Sequence, residues 1–557
     1  MKQRSKFTLA AGLSVVIIAA VLLLSFFPLP RSLSIYDGGV TVNAASGSAA
    51  DIQAAVNQAA ANGKGTVQVP AGTAIWHGET VNIPTGVNVI GASLAGCQGH
   101  EANWTRYTAT TILHNDAVST MFFVTGKGQT NKASRISGIQ FEFDAATQSP
   151  GGNGEGGAGI ILDRAVDSRV DHCTFINCGQ VAVFLDNTDL DQTIKGRAVI
   201  DHCIADYPYK STGNYIWGYG FYVRGSITAT SWDTWTAAKW ADARSIFGKY
   251  DTGPPQIPIM YVEDCHTIQA RHAVDCIQGG FYCARYNLFE KPIPKNYGII
   301  DIHGTESETG MTLPSYIGGR GCEAYGNTVV GQLGNYNNVG MMSRGGSSLV
   351  FNNKFINDFN SQYNVFDAIS NDDGANLFPG THVNQTYLWG NTITGGVLYG
   401  SSGGYTENVD FFLRAPTQAQ DGFTYTSYPY PHPLVGAGEL PPAYTVTIQS
   451  SVNGTTSPPS GTLVYSSGST MVLTATPNSG YKFDYWLING QQNLANPASV
   501  NITSNVNVTP VFTLKAENPP PPPPPPPPAS SPWWQPIVDG WNSFWSFSWF
   551  WNWVNGT

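Results

Sequence analysis

Several short apolar runs in this chain end on a side chain able to do chemistry. They are Gly159-Ile-Ile-Leu-Asp163, Ala182-Val-Phe-Leu-Asp186, Gly220-Phe-Tyr-Val-Arg224, His272-Ala-Val-Asp275, Gly298-Ile-Ile-Asp301-Ile-His303 and Gly340-Met-Met-Ser-Arg344. Successive side chains of a strand point to opposite faces. With Ile160 and Leu162 turned inward, Asp163 faces out. The same count turns Asp186, Tyr222, Arg224, Asp301, His303 and Arg344 outward, with Asp275 beside them. Stacked side by side, about 4.8 Å apart, such strands would carry a row of carboxylates, two arginines and a histidine on one face.

That set suits proton removal beside a carboxylate, the first step in eliminative cleavage of a uronate chain. The step needs a cation to neutralise the substrate carboxylate and a base to take the proton. Arg224 or Arg344 would be the carboxylate clamp, with Asp301 beside them, and His303 would assist proton transfer. Asp163, Asp186 and Asp275 would hold Ca²⁺, a hard cation that takes oxygen ligands. A hydrolase would instead use two carboxylates about 5–9.5 Å apart. Asp275 with Asp301, or Asp301 with Glu306 or Glu308, could supply them. A glycan-binding surface protein with no catalysis would use the same groups as contacts. A purely structural outer face would use them as surface ion pairs of little worth.

The elements that must position this row are legible too. From about Ile136 to Thr394 a pattern of apolar-x-x-(Asn or Cys)-x-apolar recurs. Its instances place Cys173, Cys203 and Cys265, then Asn287, Asn327, Asn353 and Asn391, at intervals of 22 to 62 residues. So irregular a spacing excludes fixed-length repeats. It fits a coil with a constant core and variable loops, in which each inward Asn stacks on the next and bonds the turn backbone. The three cysteines read as buried free thiols in the same stack, although the coil spacing would not forbid a disulfide. Long insertions after Arg224 and after His303 would wall the charged row into a cleft. Trp232, Trp235 and Trp240 in the first offer flat faces for sugar rings.

Ser48-Ala-Ala-Asp51 reads as a capping box opening a helix that buries Ile52, Ala55, Val56, Ala59 and Ala60. The strand Thr66-Val-Gln-Val-Pro70 and the turn Ala71-Gly72 follow it. A helix followed by V-x-V-P-A-G resembles the N-terminal cap of pectate-lyase-like right-handed parallel β-helices. The resemblance implies that fold for residues 35–440, a polysaccharide substrate and an Arg or Lys base, a role that would fall to Arg224 or Arg344. Val170-Asp171-His172-Cys173 is similar to part of the pectate lyase signature. With Asp201 and His202 it makes a stacked pair of pairs, suited to turn hydrogen bonding or to a metal or catalytic role. Asp301-Ile-His-Gly304 resembles the Gly-His-Gly of polygalacturonases, whose other motifs are absent. Tyr425-Thr-Ser-Tyr-Pro-Tyr-Pro-His-Pro-Leu434 looks like the closing segment of many β-helix proteins and is expected to cover the final coil. Residues 441–515, with Val472-Leu-Thr-Ala-Thr-Pro477 and Tyr481-Lys-Phe-Asp-Tyr-Trp486, resemble the divergent internalin-type B-repeat of bacterial surface proteins, a small all-β module.

The ends point outside the cytoplasm. Lys2, Arg4 and Lys6 precede an uncharged apolar run from Phe7 to Phe27, the pattern of a cleaved signal peptide or a signal anchor within residues 1–34. An unbroken run of ten prolines, Pro519 to Pro528, lies in the linker 516–532, and seven tryptophans in the tail 533–557, where Trp541, Trp545, Trp549 and Trp553 recur every fourth residue. Such a tail could lie at a membrane interface or dock to a cell wall or partner protein. Six sequons, from Asn103 to Asn555, permit glycosylation. The chain's 38 acidic against 28 basic residues argue against a nucleic-acid partner. No glycine motif for nucleotide phosphates opens a helix.

Overall fold

The computed structural model describes Tyr36 and residues 39–515, apart from 100–103, 127–132, 145–156, 188–195, 209–217, 226–246, 249–256, 291–297, 305–317, 332–338, 357–365, 369–382, 395–398, 402–404, 437–442 and 467–469. The signal-like run, the polyproline linker, the tryptophan tail, Trp232, Trp235, Trp240, Glu306 and Glu308 lie outside the described residues. Among the described residues, no helix is long and apolar enough to cross a membrane.

Three parallel sheets of 12, 10 and 10 strands wrap one core as a right-handed parallel β-helix. One coil runs from Tyr219–Arg224 of the third sheet to Ile259–Glu263 of the first and His266–Ile268 of the second. It returns to the third at His272–Ile277. Each strand pairs in parallel with its equivalent one coil away, as in Tyr222 with Asp275 and Val262 with Ala284. Inward Val, Ile, Leu and Phe form one continuous core from Val42 to Phe411. The helix Ala49–Ala61 closes the first coil with Ile52, Ala55, Val56 and Ala59 buried. Ser48 Oγ accepts from the Asp51 amide, but the Asp51 carboxylate accepts from Ser46 Oγ instead of turning back to Ser48.

The asparagine ladder is present. Asn287, Asn327 and Asn353 each donate from Nδ2 to the next Oδ1 at 2.9 Å. Each also donates to a backbone carbonyl, of Val262, Ala284 and Ala324 respectively, at 2.9 Å. Below Asn287 the thiols of Cys265 and Cys203 donate to the carbonyls of Ile200 and Val170 at 3.5 Å, a weaker form of the same contact. All eight cysteines are buried and unbridged. Replacing Asn327 by leucine takes the acceptor from the Asn287 backbone N–H and removes the Nδ2 donor to the Asn353 oxygen and the Ala284 carbonyl. Each such loss costs about 1–3 kcal/mol. We expect a lower melting temperature with the far-ultraviolet β signal of the remaining coils retained.

Contrary to the expectation from sequence, the closing segment does not cover the final coil. It runs back along the outer face of the first sheet. That face carries stacked rings, Tyr325 on Phe351 at 4.5 Å and Phe351 on Trp389 at 4.3 Å, which must be shielded from water. Arg285 anchors the strap. Its Nε donates to Glu263 at 2.8 Å and its Nη1 and Nη2 donate to the carbonyls of Tyr428 and Pro429 at 2.7 and 2.8 Å. The rings of Tyr261, Tyr325, Tyr428 and Tyr430 surround its guanidinium at 5.4–5.9 Å. Arg285→Met leaves Glu263 buried without its cation, a loss of about 3–5 kcal/mol. Limited proteolysis near Tyr425–His432 should speed up in that variant.

Residues 443–514 form a separate β module. A five-stranded and a three-stranded sheet enclose Trp486, Val446, Val508, Leu473 and Met471.

Candidate functional site

The third sheet carries the charged row on the face turned away from the coil core. Its strands do not alternate strictly. The outer cluster contains Ala158, Val181, Tyr219, Phe184, Ile161 and Tyr222, whereas Ala182, Ile160 and Leu185 lie in the inner core. Two successive residues of each strand therefore face inward, and outward positions fall three apart before returning to two. Registers align Tyr219 with His272, Tyr222 with Asp275, and Asp186 with Arg224 and Ile277. Val274 aligns with Ile300, which sets Asp301 beside Asp275.

The N-terminal half of the row neutralises itself. Asp163 takes two bonds of 2.8 Å from its neighbour Arg164, and Asp186 takes bonds of 3.1 and 2.8 Å from Arg224. Neither carboxylate belongs to a cluster of three metal-competent groups among the described residues. Arg224 also covers the Phe184 ring at 4.9 Å. Ile277 then interrupts the column before His303 and Arg344. Arg224 is thus separated from Arg344, and the six expected groups do not form one continuous row.

The C-terminal half converges. His272, Asp275 and Asp301 each bring a donor atom within 4.8 Å of the others. Arg344 donates to Asp301 Oδ2 at 2.6 Å, and His272 Nδ1 lies 4.0 Å from the same oxygen. All three residues of the triad are fully enclosed, and His303 and Arg344 nearly so, where strand alternation predicts outward groups lining a cleft. Partly exposed Tyr222 and Arg224 mark the edge where the site meets solvent.

Enclosure sets the electrostatics. Burial pushes the Asp275 carboxyl well above the usual carboxylate range, and the neighbouring Asp301 pushes it further. Neither Asp275 oxygen has a hydrogen-bond partner among the described residues. Burial also raises Asp301, but Arg344 works against that rise. Asp275 therefore holds its proton more tightly than Asp301, which Arg344 makes the more readily ionised of the pair. His272 Nδ1 bonds the Gly298 carbonyl at 2.5 Å and His303 Nδ1 bonds that of Gly304 at 3.2 Å. Burial and the nearby arginines push both rings well below the usual histidine range, which favours an unprotonated Nε2 on each. Tyr219 stacks on His272 at 5.1 Å, Arg271 covers the other side of the cluster over Tyr219 at 5.7 Å, and Tyr222 and Phe184 continue the line of rings.

His272, Arg271 and Tyr219 were not among the residues singled out from the sequence. Strict alternation counts His272 out of step with Asp275, three residues on. The glycine or alanine one residue further along each strand, Gly159, Ala182, Gly220 and Ala273, was the available signal of the irregularity.

Residues 444–516 match the family model of the divergent InlB B-repeat domain. No curated protein matches the chain. Among solved structures, a mutant tailspike protein of E. coli bacteriophage HK620, in complex with a pentasaccharide, is similar at 12% identity and TM-score 0.39, over 64% of this chain and 60% of its own length. This chain therefore spans under two thirds of that tailspike. An alginate lyase from a Paenibacillus species is similar at 14% identity and TM-score 0.31, over 58% and 97% of the two chains. DFA-IIIase from Arthrobacter chlorophenolicus is similar at 10% identity and TM-score 0.37, over 62% and 84%. With TM-scores below 0.5, these likenesses do not bear on the chemistry of the site.

Proposed function

We propose that this chain is a surface-associated enzyme that cleaves an acidic polysaccharide at the Asp275–Asp301 pair. The observation that supports this most is the pair itself: two enclosed carboxyl groups in mutual reach, one without a hydrogen-bond partner and the other held by Arg344. A scaffold has no use for an unsatisfied buried acid, and such groups concentrate at functional sites. Asp275, kept protonated, is the general acid that protonates the leaving oxygen. Asp301, kept ionised by Arg344, attacks or stabilises the developing cationic sugar centre. Carboxyls this close fit the retaining geometry of about 5–5.5 Å better than the wider inverting one. Tyr222, partly exposed at the edge, offers a ring face for an adjoining sugar, and Arg271 and Arg344 favour an anionic one.

One observation favours eliminative cleavage as a second reading. His303 is neutral beside Arg344, so a base and a carboxylate-neutralising cation stand together. In that case Asp275 supplies the proton to the leaving oxygen. Asp163 and Asp186, already paired with arginines, serve a Ca²⁺ role poorly, and no step here requires the ion.

One experiment separates the readings. Purified protein is incubated with pectate, alginate and glycosaminoglycans, and both reducing ends and the ultraviolet absorbance of unsaturated uronate are followed. New reducing ends without that absorbance support hydrolysis, and both signals together support elimination. Neither signal on any glycan, with glycan binding retained, would replace the enzyme by a binding protein. The export-like N-terminal sequence and the B-repeat module support a place at the cell surface, testable by fractionation and surface labelling.

A further inference from the structure

A second constellation lies at the turns between the first and second sheets, where one residue per coil adopts a left-handed conformation. Most coils place glycine, asparagine or a single polar residue there, as at Gly138, Asp264, Gly326, Asn352 and Gly390. Two adjacent coils place histidine, His172 at φ 49° and His202 at φ 54°. A side chain in that region costs about 1–2 kcal/mol over glycine. The two rings lie parallel, 4.8 Å apart with 2° between their planes.

Both imidazoles are oriented from behind. His172 Nδ1 bonds Asp171 Oδ2 and His202 Nδ1 bonds Asp201 Oδ2, each at 2.9 Å. Those carboxylates are kept ionised. Asp171 takes bonds of 2.7 and 2.8 Å from Arg135, and Asp201 two of 2.7 Å from Arg169. An ionised carboxylate can only accept, so each ring carries its proton on Nδ1 and leaves Nε2 with a lone pair. Both side chains retain some exposure, 14% and 24%. Among the described residues neither Nε2 has a hydrogen-bond partner.

We infer that His172 and His202 form a two-imidazole site for a borderline divalent transition-metal ion such as Zn²⁺ or Cu²⁺. Imidazole nitrogen is a preferred ligand of these ions, and a carboxylate on the far nitrogen is the usual support of a metal-binding histidine. His172, Asp201 and His202 each bring a donor atom within 4.8 Å of the others. A tetrahedral ion with bonds of about 2.0–2.1 Å needs its nitrogens roughly 3.4 Å apart and both lone pairs converging on it, so metal uptake must turn the two rings out of their parallel stack. Water completes the coordination, so the ion would be open to an external ligand. The site lies on another face from the Asp275–Asp301 pair and stands or falls separately.

The test uses tag-free full-length protein titrated with ZnCl₂ by calorimetry, and loaded with Cu²⁺ for electron paramagnetic resonance. We expect saturable uptake of a single equivalent, Cu²⁺ coupling to two nitrogens, and binding that weakens as pH falls below about 6.5. The double variant His172→Gln/His202→Gln should bind at least about tenfold more weakly, while His266→Gln, whose ring pairs with Glu290, should not change. No saturable uptake at submillimolar Zn²⁺, or unchanged uptake in the double variant, would overturn the assignment. Should that variant misfold by circular dichroism, the spectrum of wild-type protein decides: coupling to fewer than two nitrogens refutes the site.

Discussion

Asp301→Asn is expected to lower turnover of the cleaved glycan by about 10²–10⁴-fold with the coil still folded, and Asp275→Asn by a similar factor on polysaccharide. The two losses should differ in kind. Asp275 acts by giving a proton, so a substrate whose leaving group needs none, such as an activated aryl glycoside, should recover much of the rate in Asp275→Asn. It should recover none in Asp301→Asn, where the attacking or stabilising charge is gone. The pH profile adds a sign. Asp275 works protonated, so activity falls as pH rises through its elevated pKa. Removing Asp301 removes the charge that raises it and frees Arg344, which opposes the rise. The alkaline limb of the residual activity should therefore move to lower pH. Equal and complete loss on all substrates, with unchanged pH limbs, would mean that the pair shapes the site without taking part in the chemistry.

Much of the architecture was legible because stacking demands it. A residue repeated at one place in every coil must serve a contact between coils, and Asn287, Asn327, Asn353 and Asn391 could be placed in a ladder from their flanking apolar residues alone. The helix cap was legible from Ser48 and its apolar stripe. The charged face was only half legible. Alternation put Asp163, Asp186, Arg224, Asp301, His303 and Arg344 on one sheet face, but could not say which arginine each acid would find. Asp163 has Arg164 next in sequence, whose left-handed backbone, φ 50°, belongs to a turn that no motif announces. Ile277 splits the column because one strand is two residues longer than its apolar run. The enclosure of the site was beyond reach, because it depends on tertiary packing and not on strand periodicity. The strap was read as a cap for a similar reason. Its prolines exclude it from the sheet, but only the ring ladder on the first sheet tells it where to lie.

The ladder behind His172 and His202 should make the solenoid acid-sensitive. Burial alone would raise the carboxyls of Asp171 and Asp201. Arg135 and Arg169 overcome that, lowering Asp171 well below its ordinary range and Asp201 to about 2. A depressed folded-state pKa contributes stability that is complete above the unfolded value, about 3.9, and is lost as pH falls toward the folded one. Melting temperature should thus drop steeply between about pH 4 and pH 2, and Asp201→Asn should flatten that slope. Asp171→Ala should cost about 3–5 kcal/mol at neutral pH, since it strips Arg135 and leaves Arg169 with Asp201 alone in an enclosed site. Asp275 predicts the reverse. Its folded pKa is raised, so its contribution is complete below about pH 3.9 and is lost as pH rises through the elevated value. Asp275→Asn should therefore gain stability relative to the native chain at neutral and alkaline pH. The four aspartates are equally enclosed, at 0% exposure. What separates them is the arginine partner: Asp171 and Asp201 are each gripped by two nitrogens, Asp301 by one, and Asp275 by none among the described residues. That gradient divides acids that hold the coil together from an acid held ready to give up a proton.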